Sequence, residues 1–157
     1  MEAWGHGGME AWGHGGMEFF FKTTGYKFRF SGLINKNMAE FRFQDLSIWK
    51  ESMIFSRQLF LVAGNLRKAG YHSLSDQLFR ATLSITNNIA EGSGSISNRD
   101  FANFLMISRK SVYECANIVI ILEDLKLLAT DEKERLVRNL MDLSKKIYFF
   151  RKTLLKD

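Results

Sequence analysis

The sequence predicts an all-α protein whose main domain is an antiparallel up-down four-helix bundle, preceded by an extension outside the bundle. Three observations carry this prediction. The 157 residues contain no proline, which favours long uninterrupted helices. From Phe43 onward, apolar residues recur at helical spacing in four successive segments. The connections between these segments are short, which is typical of helices packed antiparallel to their neighbours.

The length and composition indicate one domain with a single core. Cys115 is the only cysteine, so an intramolecular disulfide and a cysteine metal cluster are excluded. No apolar run approaches the length needed to cross a bilayer, and the N-terminus lacks a basic start followed by an apolar stretch. We therefore expect a cytoplasmic protein that has no cofactor and does not bind membranes.

The first sixteen residues are a tandem repeat of the octapeptide MEAWGHGG. Two glycine-rich octapeptides cannot form a core, and solenoids need longer units and more copies. Three interpretations are open: copper binding through His6 and His14, an expression tag, or a translated DNA repeat upstream of a true start at Met38. The last two are favoured. Residues 1–37 are thus predicted as an N-terminal extension and residues 38–157 as the bundle domain.

Aromatic residues alternate loosely within residues 17–37, at Tyr26, Phe28 and Phe30. This pattern fits either a short strand or hairpin, or a disordered segment. An isolated hairpin is rarely stable in water, so the segment is not expected to add a second core.

The first two helices are delimited by one acidic residue and two glycines. Asp45 is the predicted N-cap of the first helix, which reaches about Lys68 and is ended by Gly70. The second helix is predicted from about Ser75 to Gly92. A glycine at its end suits the left-handed C-cap position.

The third and fourth helices begin at hydroxyl residues. Ser97, with Asp100 three residues later, forms a predicted capping box, and Thr130 is predicted to cap the fourth helix. The apolar stripe of the third helix is Phe101, Leu105, Ser108, Val112, Cys115, Val119 and Leu122. That of the fourth is Leu136, Leu140, Leu143, Ile147, Phe150 and Leu154. The stripes of the first and fourth helices are wider than one seam needs, which predicts a homo-oligomer.

Polar residues recur at helical spacing along one face of the second helix: Gln77, Arg80, Ser84, Asn88 and Glu91. Together with Glu114 of the third helix, they are candidates for a polar site in a pocket. The structural alternative is a ladder of hydrogen bonds between helices, since buried polar networks fix register and partner choice. We favour the ladder.

The residues that could support catalysis are too few and too scattered to predict an enzyme. His72 stands alone in a predicted turn, and the Glu-x-x-His pair of carboxylate metal sites in bundles is absent. Cys115 lies on an apolar stripe without a nearby histidine in sequence, which is typical of a small core residue. No glycine-rich phosphate loop follows a strand. We therefore predict neither a catalytic nor a metal site.

Basic residues are concentrated at the C-terminal end, where residues 133–157 hold eight Lys or Arg against three acids. Arg138, Lys145 and Lys152 recur every seven residues, and Arg135 and Lys146 flank that line. Basic residues in such a pattern more often lie on a solvated helix face without a binding role. The alternative is a surface that contacts the phosphates of RNA or DNA, repeated around an oligomer by symmetry.

The second helix also carries the strongest family resemblance. Its segments Gln77–Ala81, Ser84-Ile85 and Asn88–Gly92 resemble the signature of the four-helix-bundle family encoded in intervening sequences of bacterial 23S ribosomal RNA genes. Further matching positions are Phe43, Asp45, Leu46 and Trp49 of the first helix, with Phe101–Leu105, Ser111 and Glu114 of the third. The resemblance runs from about residue 40 to the end of the third helix. Lys110 departs from the pattern, because members often have a small residue, commonly glycine, at that position.

The resemblance implies architecture more than activity. Members form four-helix bundles that assemble as ring-like homopentamers, and the family is similar to the accessory bundle protein of diversity-generating retroelements, which works with a reverse transcriptase and RNA. We therefore expect a non-enzymatic oligomeric adaptor that binds nucleic acid through the fourth helix. The alternative is a scaffold whose ring binds a partner protein such as a polymerase.

Overall fold

The computed structural model of this chain describes residues 17–20, 27–30 and 41–156. Backbone contacts divide the chain into two units, Met1–Met38 and Ala39–Asp157. The octapeptide repeat, with His6 and His14, lies outside the described residues, as does the predicted start at Met38.

The N-terminal unit contains one antiparallel pair of short strands. Strand β1 spans Met17–Phe20 and strand β2 spans Lys27–Phe30. In their register Met17 lies opposite Phe30, and Phe20 lies opposite Lys27. Of the two alternatives for this segment, the hairpin is therefore the one observed.

The second unit is the predicted up-down four-helix bundle. Its helices are α1 (Ser47–Lys68), α2 (His72–Ser93), α3 (Asn98–Asp124) and α4 (Thr130–Leu154). Each helix packs on its neighbour in sequence, and α4 returns to α1 to close the bundle with the smallest of the four interfaces. A short 3₁₀ turn, Arg42–Asp45, precedes α1 and contacts both α1 and α2.

The core consists of one apolar stripe from each helix. Its largest fully buried side chains include Leu59, Leu78, Ile85, Ile89, Phe101, Leu105, Leu122, Leu136, Leu140, Leu143 and Ile147. Burial of each Leu, Ile or Phe side chain is worth about 1.5–3 kcal/mol. All the leucines of the predicted third-helix and fourth-helix stripes lie in this core or against it, so the helical periodicity identified the inward faces correctly.

The predicted N-cap of α1 is wrong. Asp45 is the last residue of the 3₁₀ turn, and α1 begins at Ser47 after an extended Leu46. The turn is held by the backbone N–H of Phe41, which donates to the side-chain oxygen of Gln44 at 3.0 Å. It also places the ring of Phe43 against Trp49, with centroids 4.9 Å apart. Aromatic packing, rather than a carboxylate cap, therefore fixes the entry to α1.

Gly70 ends α1 as predicted. Its φ of 91° is left-handed, and the N–H of the following Tyr71 donates to the carbonyl of Leu66 at 2.9 Å, as in a Schellman motif. Helix α2 starts at His72, three residues earlier than predicted. Ser75 is consequently inside the helix, where its buried hydroxyl donates to the carbonyl of Ala63 at 2.8 Å and ties α2 to α1.

The predicted role of Gly92 as a left-handed C-cap is also wrong. Gly92 is inside α2, and its backbone is not left-handed. It is buried, and a Cβ there would lie 2.5 Å from Cδ2 of Phe101 and 2.7 Å from Cβ of Phe104. The position needs glycine because α3 crosses α2 at this point, not because the helix turns left-handed.

The third helix starts as predicted and the fourth does not. Ser97 caps α3 by accepting a hydrogen bond from the N–H of Asp100 at 3.1 Å. Ala129, not Thr130, is the N-cap of α4. The hydroxyl of Thr130 instead donates to the carboxylate of Glu123 at 3.0 Å, so it links the end of α3 to the start of α4.

Two glycine substitutions test the close approach of α2 and α3. We expect Gly92→Ala to lower the free energy of unfolding by about 1–3 kcal/mol, because the added methyl group must displace the Phe101 ring. Gly64→Ala is the matched control, since a Cβ at that helical position meets nothing within 4 Å. The control should raise stability by about 0.5–1 kcal/mol. Urea denaturation measures the free energy of unfolding of both variants. Equal changes in the two would contradict the close approach of α2 and α3 at Gly92.

Candidate functional site

Three of the five predicted nucleic-acid-binding residues form an exposed line along α4. Arg138, Lys145 and Lys152 recur at heptad spacing and all are exposed. Lys145 lies 3.4 Å from the carboxylate of Asp142, and both side chains are about 60% exposed (59% and 61%). Such an exposed ion pair contributes little to stability in water. Lys145 can therefore readily exchange Asp142 for another anionic partner. Among the described residues, no carboxylate pairs with Arg138 or Lys152.

The other two predicted residues are directed toward α1. The guanidinium of Arg135 donates to the side-chain oxygen of Gln58 at 2.9 Å and lies 3.6 Å from Glu132. Lys146 pairs with Glu51 of α1, and a depression of about 180 Å³ lies beside this pair. These two side chains close the α1–α4 interface, so the outward basic line consists of the three residues spaced by seven.

The predicted polar ladder is assembled only in part. The amide of Asn88 donates to the carbonyl and the hydroxyl of Ser84 at 2.7 and 3.0 Å. Ser111 of α3 donates to the same Ser84 hydroxyl at 2.8 Å. Among the ladder residues, the contact that joins α2 to α3 is therefore a serine–serine hydrogen bond supported by Asn88. Lys110, which precedes Ser111 in the chain, is exposed.

The remaining ladder residues are on the surface. Gln77, Arg80, Glu91 and Glu114 are exposed, and within the described part of the chain none of their side chains forms a hydrogen bond or an ion pair. The structure thus brings together Ser84 and Asn88 but leaves the four other predicted members apart.

Cys115 is part of the core. It is fully buried, its sulfur lies 3.7 Å from the hydroxyl of Thr82, and burial raises the pKa of the thiol to about 12. A reactive cysteine needs a lowered pKa and solvent access, so Cys115 is not suited to act as a nucleophile.

In residues 17–20, 27–30 and 41–156, no cluster of His, Cys, Asp and Glu has the arrangement of a metal site. No described helix could span a membrane.

The structure also reveals a cluster that the sequence pattern did not indicate. The guanidinium of Arg109, on α3, donates to the hydroxyl of Ser144 on α4 at 3.1 Å and to the hydroxyl of Tyr113 at 3.2 Å. Its Cζ atom lies 5.3 Å from the ring centre of Tyr113 and 5.4 Å from that of Tyr148. The four-residue spacing from Arg109 to Tyr113 was the available signal, because residues four apart meet on a helix surface.

Large exposed apolar side chains occur on all four helices, and several of them are on α1 and α2. Leu61 is 71% exposed and Ile54, one heptad earlier, is 55% exposed. Phe79 of α2 is also exposed and packs on Phe60, with ring centres 4.9 Å apart. Isolated apolar residues are normal on a surface, but several on neighbouring helices are typical of an interaction site.

Fold and surface together define an up-down four-helix bundle with a basic outer line and no assembled catalytic group in the described part. The chain belongs to the 23S rRNA-intervening sequence protein family, whose sequence model matches residues 44–149. The resemblance inferred from the second helix is thereby confirmed. The likeness to the retroelement accessory protein stays a prediction.

A solved structure supports the same fold. The chain is similar to a protein with unknown function from the S23 ribosomal protein family of Bacteroides thetaiotaomicron VPI-5482, with a TM-score of 0.64 and 22% sequence identity. The match covers 67% of this chain and 98% of the other. Among curated proteins, none matches this chain.

The buried thiol predicts a specific dependence of stability on pH. Because the folded-state pKa of Cys115 is above its unfolded value of about 8.5, its contribution is complete below that pH and is lost as the pH rises toward 12. The stability advantage of the native chain over Cys115→Ala should therefore shrink by about 1.4 kcal/mol per pH unit above pH 8.5. Urea denaturation at about pH 8, 9 and 10 checks this. A constant difference would contradict it.

Proposed function

We propose that this protein is a non-enzymatic, cytoplasmic, oligomeric helical bundle that binds RNA or DNA through the outer surface of α4. The observation that carries the proposal is the exposed line of Arg138, Lys145 and Lys152. At the rise of an α-helix, these residues span about 20 Å. Lys and Arg on such a line contact phosphates without reading sequence.

The local charge balance supports phosphate binding. Between residues 138 and 156 the chain has six Lys or Arg and one acid, Asp142. The acidic residues of α4 are mostly in its N-terminal part, where Asp131 and Glu132 lie in the first turn. The helix is thus polarised, and a polyanion is attracted to its C-terminal half.

The names of the relatives support an RNA setting. The family is described by its association with 23S rRNA intervening sequences, and the structural neighbour is assigned to the S23 ribosomal protein family. Neither name states a binding activity. They favour nucleic acid over other polyanions as the partner of the basic line.

Self-association would strengthen weak contacts by repeating them. The exposed Ile54 and Leu61 of α1, with Phe79 of α2, supply apolar surface for contact between subunits. A ring of identical subunits, a pentamer in the family pattern, would present several basic lines to one nucleic acid. Linked binding events add through effective concentration.

The second candidate function is a protein-interaction scaffold, and the same α1–α2 surface favours it. If copies of this chain do not cover Leu61 and Phe79, their exposed apolar area is available to another protein such as a polymerase. The two functions differ in which surface is needed: α4 for nucleic acid, α1 and α2 for a protein partner.

Charge reversal on α4 tests nucleic-acid binding. The triple variant Arg138→Glu, Lys145→Glu and Lys152→Glu should weaken binding to RNA or DNA about 100-fold at low salt and reduce the slope of log K against log salt by about 2–3. The matched control reverses three exposed basic residues elsewhere, Lys68, Arg99 and Lys126, and so has the same net charge. Fluorescence anisotropy measures both. Equal losses, or no binding by the native chain, would contradict the proposal.

An added charge on α1 tests self-association. We expect Leu61→Glu to shift the protein to smaller species in sedimentation velocity, because a carboxylate in an apolar interface is costly to bury. Leu125→Glu makes the same substitution at a leucine that is 53% exposed after α3, and it should leave the species unchanged. A native chain that sediments as a monomer would refute self-association.

A further inference from the structure

The cluster around Arg109 is distinct from the basic line, although it shares Lys152 with it. It consists of Arg109 and Tyr113 on α3 with Tyr148 and Lys152 on α4, and it is called the Arg109 cluster below. The amine of Lys152 lies 5.8 Å from the ring centre of Tyr148. Both rings remain accessible, since Tyr113 is 60% and Tyr148 is 38% exposed.

Arg109 fixes the relative position of the two rings. Its side chain is partly buried and is oriented by the hydrogen bond from Nε to Ser144. The contacts with Tyr113 and Tyr148 are cation–π contacts in distance. Two aromatic side chains on neighbouring helices are therefore held against one guanidinium at the surface before any ligand arrives, which limits the entropy lost on binding.

We infer that the Arg109 cluster binds unpaired bases of single-stranded nucleic acid. This inference rests on the proposed binding of nucleic acid by α4. The rings of Tyr113 and Tyr148 stack on successive bases, while Lys152 and Lys145 contact the phosphates beside them. Aromatic stacking beside a basic groove is the general means by which proteins bind single strands without sequence preference.

The aromatic groups favour a single strand over a duplex. In a duplex the base faces are already stacked on one another, so a side-chain ring cannot stack on them without opening the base stack. Basic residues alone would accept either form, or an acidic protein segment. Exposed tyrosines held beside an arginine add a surface that matches the faces of bases and offers less to a carboxylate.

Binding of matched oligonucleotides to the full chain tests this inference. The probes are a labelled single strand of about 20 nucleotides, its duplex, and a strand of equal charge with abasic sites. The double variant Tyr113→Ala and Tyr148→Ala should lose about tenfold or more in affinity for the single strand. It should lose little for the duplex, and its salt slope should not change. The native chain should bind the abasic strand as weakly as the alanine variant binds the intact one.

Two controls separate stacking from folding and from aromatic loss in general. Tyr113→Phe with Tyr148→Phe keeps both rings and should retain native affinity. Tyr71→Ala removes a tyrosine that is 43% exposed in the α1–α2 connection, and it should leave binding unchanged. Thermal unfolding confirms that each variant is folded.

The outcomes distinguish this inference from the proposed function. If the native chain binds the single strand, the duplex and the abasic strand equally, the basic line is supported and base stacking is refuted. Base stacking is also refuted if polyglutamate competes as well as an oligonucleotide of equal charge. If the native chain binds none of the nucleic acids at low salt, both the proposed function and this inference fail.

Discussion

The packing of Phe101 over Gly92 is the contact on which the arrangement of the bundle depends. Because Gly92 has no side chain, the Phe101 ring occupies the space beside α2. Phe150 of α4 meets that ring edge-on, with centroids 5.4 Å apart, and the guanidinium of Arg42 lies 6.0 Å from its centre. Arg42 also donates to the carbonyl of Ser93 at 3.3 Å. One buried ring thus joins α2, α3, α4 and the turn before α1.

The polar side chains of the bundle fall into three groups with different roles. Hydroxyls satisfied within or between helices, such as Ser108 donating to the carbonyl of Ile85 at 2.9 Å, are buried and fix register. Charged pairs such as Lys146 and Glu51 cover the smallest interface, between α1 and α4. Arg138, Lys145 and Lys152 serve neither role and lie on the outer surface of α4. The packing of the core does not constrain that surface, so these side chains are available for binding.

Periodicity predicted the fold because it reports which face of a helix is buried, and four such faces with short connections have few arrangements. The features that periodicity did not predict are determined by tertiary contacts. Gly92 has the residue type of a C-cap, yet its missing side chain leaves space for the ring of Phe101, which comes from the next helix. Thr130 has the residue type of an N-cap, but Glu123 offers its hydroxyl a better partner. For the candidate site, heptad spacing identified Arg138, Lys145 and Lys152, whereas only the packing of α4 on α1 separates them from Arg135 and Lys146.

The Arg109 cluster shows why a site spread over two helices is not visible in the pattern of either one. On α3 alone, Arg109 and Tyr113 are an ordinary pair four residues apart, and on α4 alone, Tyr148 widens an apolar stripe. Antiparallel packing brings these pairs together, and the hydrogen bond from Arg109 to Ser144 sets their relative position. The guanidinium of Arg109 contacts Tyr113 on its own helix and Tyr148 and Ser144 across the α3–α4 interface, so it is not a free surface charge. Its effect on a ligand is therefore indirect: it orients Tyr113 and Tyr148, whose exposed rings and neighbouring Lys152 make the contact.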